Sequence, residues 1–229
     1  MSGGSLLARE EEIMTIEVQR AYAERAEEYS AALGSIEAMH PEDVARITGW
    51  AAAVAGPLLD AGSGPGHWTD LLRHRGSDVT GIELVPEFVD SARRRFPLAD
   101  YDVGDLRSLP YEDARFAGVL AWYSVIHTPP EQCPPLFREL ARVLRPGGSL
   151  LIGAFLGPSG EPFKHAITGA FFWSERGLSD ALAAAGLEVT ESHSRSTPPA
   201  RPHLAVVARM PAPPDRGGPA PCRGRAPRS

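Results

Sequence analysis

The sequence predicts an α/β fold in which a mostly parallel sheet is covered by helices on both faces. Three observations carry that expectation. Short apolar runs alternate with segments of helical periodicity over most of the chain. Those runs, among them "PLLDAG", "FAGVLAWYSV" and "SLLIGAF", are nearly continuously apolar, as strands buried on both faces are. The first run ends in "DAGSGPGHWTDLL", where glycines at 62, 64 and 66 make a strand-to-helix turn.

The elements follow in order. From about Glu11 to Leu33, Tyr22, Ala26, Tyr29 and Leu33 share one helical face, Glu24, Arg25, Glu27 and Glu28 the other, and Gly34 is the stop. "PEDVARITGWAAAVAG" is a second helix, with Pro41 early and Gly56 at its end. After the strand "PLLDAG" come a helix over Gly66–Arg75, the strand "DVTGIELV" and the helix "PEFVDSARRRF". A short strand at Tyr101–Val103 precedes "FAGVLAWYSV". Residues 131–144 form an amphipathic helix with Leu136, Phe137, Leu140, Val143 and Leu144 inward, halted by "RPGG" before the strand "SLLIGAF". Leu178–Ala185 is helical, and 187–193 and 203–209 are the last strands. Residues 1–10 read as a frayed end and 11–209 as one domain, divided into a helical lid over 11–50 and an α/β core over 51–209. The Pro/Gly/Arg-rich stretch 210–229 reads as a disordered tail.

Bulk properties narrow the partners. The chain has 229 residues, 43% of them hydrophobic, enough to bury one full core. Formal net charge is −6, and four arginines against one aspartate in 210–229 leave the remainder more acidic still. An acidic body disfavours nucleic acid and anionic membranes. Cys133 and Cys222 stand far apart, which disfavours a disulfide framework and suits a reducing cytoplasm. The uncharged runs Phe116–Pro130 and Pro146–Gly160 are too short and too broken by Pro or Gly to span a bilayer.

The glycine turn is the first functional clue. In a doubly wound sheet, ligands bind beyond the carboxyl ends of the strands. A dinucleotide turn has the spacing G-x-G-x-x-G, whereas here it is G-x-G-x-G, with His67 where the last glycine would fall. The lysine of a phosphate-binding loop is absent as well. Asp60, just before the glycines, would repel a phosphate and suits a ligand bearing a cation or hydroxyls. Glu83 ends the second strand, where a carboxylate can accept bonds from both ribose hydroxyls. Asp105 follows the third strand, positioned to accept from an adenine amino group while Leu106 packs on the ring.

The ordered set "LLDAGSGPG", "GIELVPEFVDSAR", "GDLRSLPYEDARFAGVLAWYSVIH" and "FRELARVLRPGGSLLI" resembles class I S-adenosylmethionine-dependent methyltransferases, small-molecule type, near the ubiquinone/menaquinone-biosynthesis branch. The resemblance runs roughly from Tyr22 to Arg209. It implies a three-layer Rossmann-like fold whose seven-stranded, mostly parallel sheet takes its last strand, "HLAVVARM", antiparallel. It implies S-adenosylmethionine as cofactor, with Asp60 near the methionine amino group and the turn of Gly62, Ser63, Gly64 and Gly66 as its cradle. Glu83 and Leu84 would then meet the ribose, Gly104, Asp105 and Leu106 the adenine, and Trp122 the stretch beside the sulfonium. Tyr22 and Tyr29 match a lid, or else pack as ordinary core.

For the methyl acceptor the sequence offers Tyr123, His127, His165, Phe172 and Trp173. His127 follows the fourth strand, either as a general base or as a residue that orients its loop. His165, Phe172 and Trp173 lie in an aromatic insertion suited to an apolar acceptor. His67 and His74 are spaced as solvent-facing helix residues, and no grouping has metal-ligand spacing. The expected activity is methyl transfer to O, N or C of a small organic molecule, driven mainly by proximity. Its rivals are a nicotinamide-dependent oxidoreductase and a cofactor-binding homologue without catalysis. Nucleic-acid methylation would want an Asn/Asp-Pro-Pro-aromatic motif where this chain has "WYSVIHTPP".

Overall fold

Nine strands are found among the residues described by the computed structural model, 16–165 and 167–212. Seven of them form one sheet: β1 (Leu58–Ala61), β2 (Val79–Glu83), β3 (Asp100–Val103), β4 (Phe116–Trp122), β5 (Leu144–Phe155), β8 (Glu188–Arg195) and β9 (His203–Arg209). Their order is β3-β2-β1-β4-β5-β9-β8. All pairs from β3 to β5 are parallel, while β9 runs antiparallel to both of its neighbours. The remaining two, β6 (Pro162–Lys164) and β7 (Gly169–Phe171), make a hairpin that sequence periodicity did not reveal. Its strands are three residues each, too short for a periodic signal.

Side chains alternate between the faces and bind a helix layer on each. Leu58, Leu120, Leu151 and Val207 point toward α2 (Pro41–Ala52) and α3 (His67–His74), where Ile47, Trp50, Trp68 and Leu72 meet them. Leu59, Val119, Leu150, Ile152 and Val206 point the other way, onto α5 (Pro134–Val143) and α6 (Glu175–Ala184). Across the first layer, the Trp50 indole donates to the Ser149 hydroxyl at 2.9 Å, so the buried ring satisfies its one polar atom.

Local chemistry sets the helix ends. Pro41 opens α2 with Glu42 and Asp43 in its first turn, and the His40 ring accepts from the Glu42 N–H. Ser174 caps α6 by accepting from the Gly177 N–H at 3.0 Å, so this helix starts three residues before the expected Leu178. The expected single helix from Glu11 is broken. Residues 16–23 are helical, a turn follows at 24–25, and α1 runs over Ala26–Leu33. The expected start of this helix at 11–15 lies outside the described residues, as do the Leu33 side chain, residues 1–10, expected to fray, and positions 213–229 of the expected tail. α2 ends at Ala52, not Gly56. "RPGG" is part of β5 instead of a spacer after α5: Leu144 already pairs with Phe116, and the Gly147 N–H donates to the Met210 carbonyl.

Candidate active site

All the strand ends of β1 to β5 open onto one side of the sheet, and a cavity of about 550 Å³ lies there. That is within the range of about 300–1,000 Å³ usual for small-molecule sites. Its floor is the glycine turn. Gly62 has φ +80°, and a Cβ on it would sit 2.3 Å from the Ser124 Cβ, so the approach of β1 to the loop after β4 requires glycine. Gly64 has φ +52°, and a Cβ there would meet nothing within 4 Å: its open side is the cavity.

Glu83, at the end of β2, holds this turn. Its Oε2 accepts from the Gly64 N–H at 2.9 Å and its Oε1 from the Val85 N–H at 3.0 Å. Burial nevertheless raises its pKa, since backbone hydrogen bonds from Val85, Gly64 and Leu84 only partly offset the loss of water. Asp60 lies beneath the turn, 1% exposed, and accepts from the Thr69 hydroxyl at 2.6 Å. Burial pushes its carboxyl up to about 7, opposed by that hydrogen bond and reinforced by Glu83. Neither acid has a basic partner among the described residues. Two such carboxylates suit a cationic ligand with hydroxyl groups.

Next along the same rim, Asp105 is held by Arg107. Burial opposes its charge, but the guanidinium at 2.6 Å and the Arg107 backbone N–H win and lower its pKa. Leu84, Leu106 and Trp122 line the same cavity. Above it, Tyr22 and Tyr29 pack edge-to-face at 5.4 Å over Phe88 of α4 (Pro86–Arg95).

Of the residues expected to meet a ligand, Tyr22, Tyr29, Gly62, Ser63, Gly64, Glu83, Leu84, Asp105, Leu106, Trp122, Tyr123, His127 and His165 all line the cavity. Asp60, Gly66 and Gly104 stand behind that lining. Trp173 differs: it is 1% exposed and packs on Phe137 at 5.8 Å, inside the core under α5. Phe172 turns away too, stacking on Phe163 at 4.3 Å. Both residues follow the end of β7, where Trp173 bridges to Leu156, and neither side chain lines the cavity.

His67 is a correction. It is 7% exposed rather than solvent-facing, lines the cavity, and neither ring nitrogen has a partner among the described residues. Burial, with Arg95 nearby, pushes its pKa down to about 4, so the ring is neutral at pH 7. The segment Ile36–Ala38, packed across α3, closes over a face that the helical wheel assigns to water. Also missed were His40, Asp43, Phe155, Arg195 and His203, which line the end of the cavity farther from Asp105. Asp43 and Arg195 lie 152 positions apart and join through an ion pair at 2.8 Å. No local pattern signals such a pair.

The sheet order with β9 antiparallel to both neighbours, the glycine turn under a cavity of about 550 Å³, and acids at the ends of β1 and β2 and after β3 make up the frame of this site, and the chain is similar to methyltransferases over it. Residues 58–148 match the family model described as a methyltransferase domain. A malonyl-acyl-carrier-protein O-methyltransferase from Serratia marcescens is 36% identical over 55% of this chain and 50% of its own length. A trans-aconitate 2-methyltransferase from Rhizobium meliloti is 38% identical over 43% of this chain and 38% of its own. The chain thus spans about half the length, or less, of these relatives. Among solved structures, a 1,6-didemethyltoxoflavin-N1-methyltransferase from Burkholderia thailandensis, with substrate and S-adenosylhomocysteine bound, superposes with TM-score 0.70 at 23% identity. That match covers 86% of this chain and 88% of that one.

Proposed function

We propose that the protein transfers a methyl group from S-adenosylmethionine to an O, N or C atom of a small organic molecule. The observation that carries this reading is the pair of buried carboxylates, Asp60 and Glu83, without a basic partner beneath and beside a glycine turn. Their chemistry fits the group. Glu83 keeps lone pairs for two ribose hydroxyls while Gly64 and Val85 hold it in place. Asp60 offers negative potential to an ammonium through the thin glycine-rich turn. The same two charges disfavour the pyrophosphate of a nicotinamide dinucleotide.

When bound, S-adenosylmethionine supplies a methyl group already activated by its sulfonium. The remaining work is positional, and aligned contact alone supplies ~7–11 kcal/mol. Trp122 and Tyr123 form the wall between the two ends of the cavity. Tyr22 and Tyr29, from the helices that precede Gly34, cover it and exclude water. The relatives named for malonyl-acyl-carrier protein and trans-aconitate support a small-molecule acceptor. The acidic body supports a chain that works without nucleic acid, and the cysteine usage supports the cytoplasm. No helix among the described residues is long and apolar enough to cross a membrane.

Isothermal titration tests the reading. S-Adenosylhomocysteine is expected to bind with micromolar or better affinity and NADH not at all, whereas the reverse result would sink it. Acceptor-dependent release of S-adenosylhomocysteine then separates an enzyme from a homologue that only binds.

A further inference from the structure

The histidines that line the cavity differ in what their ring nitrogens meet. The His40 ring accepts from the Glu42 N–H, and Nδ1 of His203 is bonded to the Tyr123 hydroxyl. His127 has both nitrogens engaged. Nδ1 lies 2.7 Å from the Gly169 carbonyl, which can only accept, so Nδ1 carries the proton and Nε2 accepts from the Tyr22 hydroxyl at 2.7 Å. His165, beside His127 at the far end, leaves one buried nitrogen, Nδ1, without a partner among the described residues. Among those residues, His67 alone buries both ring nitrogens unpartnered. A neutral imidazole carries one N–H and one lone pair, and native folds rarely leave either dry and unpaired. A ligand in the cavity is the partner this ring lacks.

Its surroundings decide what kind of group that is. His67 is the first residue of α3, directly after the glycine turn, and is 7% exposed. In the same turn of helix, the Thr69 N–H goes to Asp60 and the Asp70 N–H to the Gly66 carbonyl. The backbone N–H groups of His67 and Trp68 have no partner among the described residues. Arg95 stands near enough to disfavour a positive charge on the ring, and forms no ion pair with an acid among the described residues. It does not line the cavity, so it contributes field rather than contact. Side-chain and backbone donors at a helix N-terminus thus favour an anion, close to two carboxylates that favour a cation. A carbon bearing both an ammonium and a carboxylate fits that pattern. A phosphate does not, because Asp60 and Glu83 would face its full charge.

We propose that His67 contacts the carboxylate of the cofactor's methionine end, its ring N–H acting with the two free N–H groups that open α3, and that this contact selects a ligand carrying both charges. This rests on the methyltransferase reading. The ring serves as a neutral donor, so the contact needs no proton uptake at pH 7. Asp60 faces the ammonium on the same carbon. Decarboxylated S-adenosylmethionine and 5′-methylthioadenosine keep the nucleoside but lack the carboxylate, and His67 is what disfavours them.

Calorimetry on the full chain isolates the contact with two ligands. One is S-adenosylhomocysteine; the other is its decarboxylated form, S-adenosyl-3-thiopropylamine, which keeps the ammonium. The native chain is expected to bind the first at least about tenfold more tightly, as loss of a charge-assisted hydrogen bond implies. His67→Phe, which keeps a flat ring, is expected to weaken S-adenosylhomocysteine about tenfold and to leave the decarboxylated ligand within about twofold. Equal losses for both ligands would mark a structural role, and no loss for either would remove the contact; each overturns the proposal. Histidine-ring 15N NMR on the native chain serves if that variant does not fold. S-Adenosylhomocysteine is expected to shift the His67 ring nitrogens and the decarboxylated ligand to shift them far less, and equal shifts overturn the proposal. A native chain that binds both ligands equally well overturns it too while the methyltransferase reading stands. A native chain that binds neither removes that reading and the proposal together.

Discussion

At the glycine-turn end of the cavity, Asp60 and Glu83 are buried with hydrogen bonds but no counter-charge; at the other end, Asp43 is neutralised by Arg195 and the remaining polar groups are mostly imidazoles. The first end is assembled from backbone N–H groups and strand ends close in the sheet. The second is assembled from side chains that meet across 80 to 152 positions of sequence. One end stores unfavourable charge that a cation relieves; the other has spent its charge on its own structure. On the proposed function, the difference assigns affinity for the nucleoside ligand and selectivity for the acceptor to separable sets of residues.

The largest effect that would break this separation comes from Glu83. Removing its carboxylate in Glu83→Ala strips the partner from two backbone N–H groups and from the expected ribose contacts. S-Adenosylhomocysteine should bind about 100-fold more weakly, ~2–3 kcal/mol for charge-assisted bonds. Titration calorimetry finding less than a twofold change would move the nucleoside elsewhere.

A smaller effect follows from Asp60. Burial pushes its carboxyl up to about 7, so the free protein retains a proton there that the unfolded chain has already lost. Stability of the free protein should therefore fall as pH rises from the ordinary carboxylate range to about 7. Affinity for the ammonium-bearing S-adenosylhomocysteine should rise over the same window, by up to about tenfold per pH unit, and level off above it. Melting curves from pH 5 to 8 check this. Parallel curves with and without ligand would detach Asp60 from the site.

Smaller again, His165→Ala should raise the acceptor KM severalfold while leaving S-adenosylhomocysteine affinity within twofold, as read by steady-state kinetics beside calorimetry. A loss shared equally by both would merge the two ends into one. Phe172→Leu should change neither parameter, because the ring stacks on Phe163 outside the cavity lining.

The sheet was legible because buried parallel strands are written as apolar runs, and β4 shows it, with six of its seven residues buried. At the cofactor end, Glu83 and Asp105 were legible as acids just after apolar strands, and the strand ends of a parallel sheet all face one rim. His67 was misread because a helical wheel knows only its own helix. Its position as the first residue of α3, directly after the glycine turn, was the available signal. Trp173 lies in the core, left open by the sequence for a related reason: an aromatic run marks burial without saying whether core or cavity does the burying.

What the sequence by itself determined are features governed by neighbours along the chain: the strand-helix alternation, the glycines that allow a left-handed turn, and which strand ends carry a carboxylate. Backbone sterics and the hydrophobic period act over a few residues, so they can be read there. Only the tertiary structure decided that His67 is buried, that Trp173 belongs to the core, that Asp43 is neutralised, and that both nitrogens of His127 are engaged. Those outcomes depend on desolvation and on distances between remote segments, which are set by packing rather than by residue order.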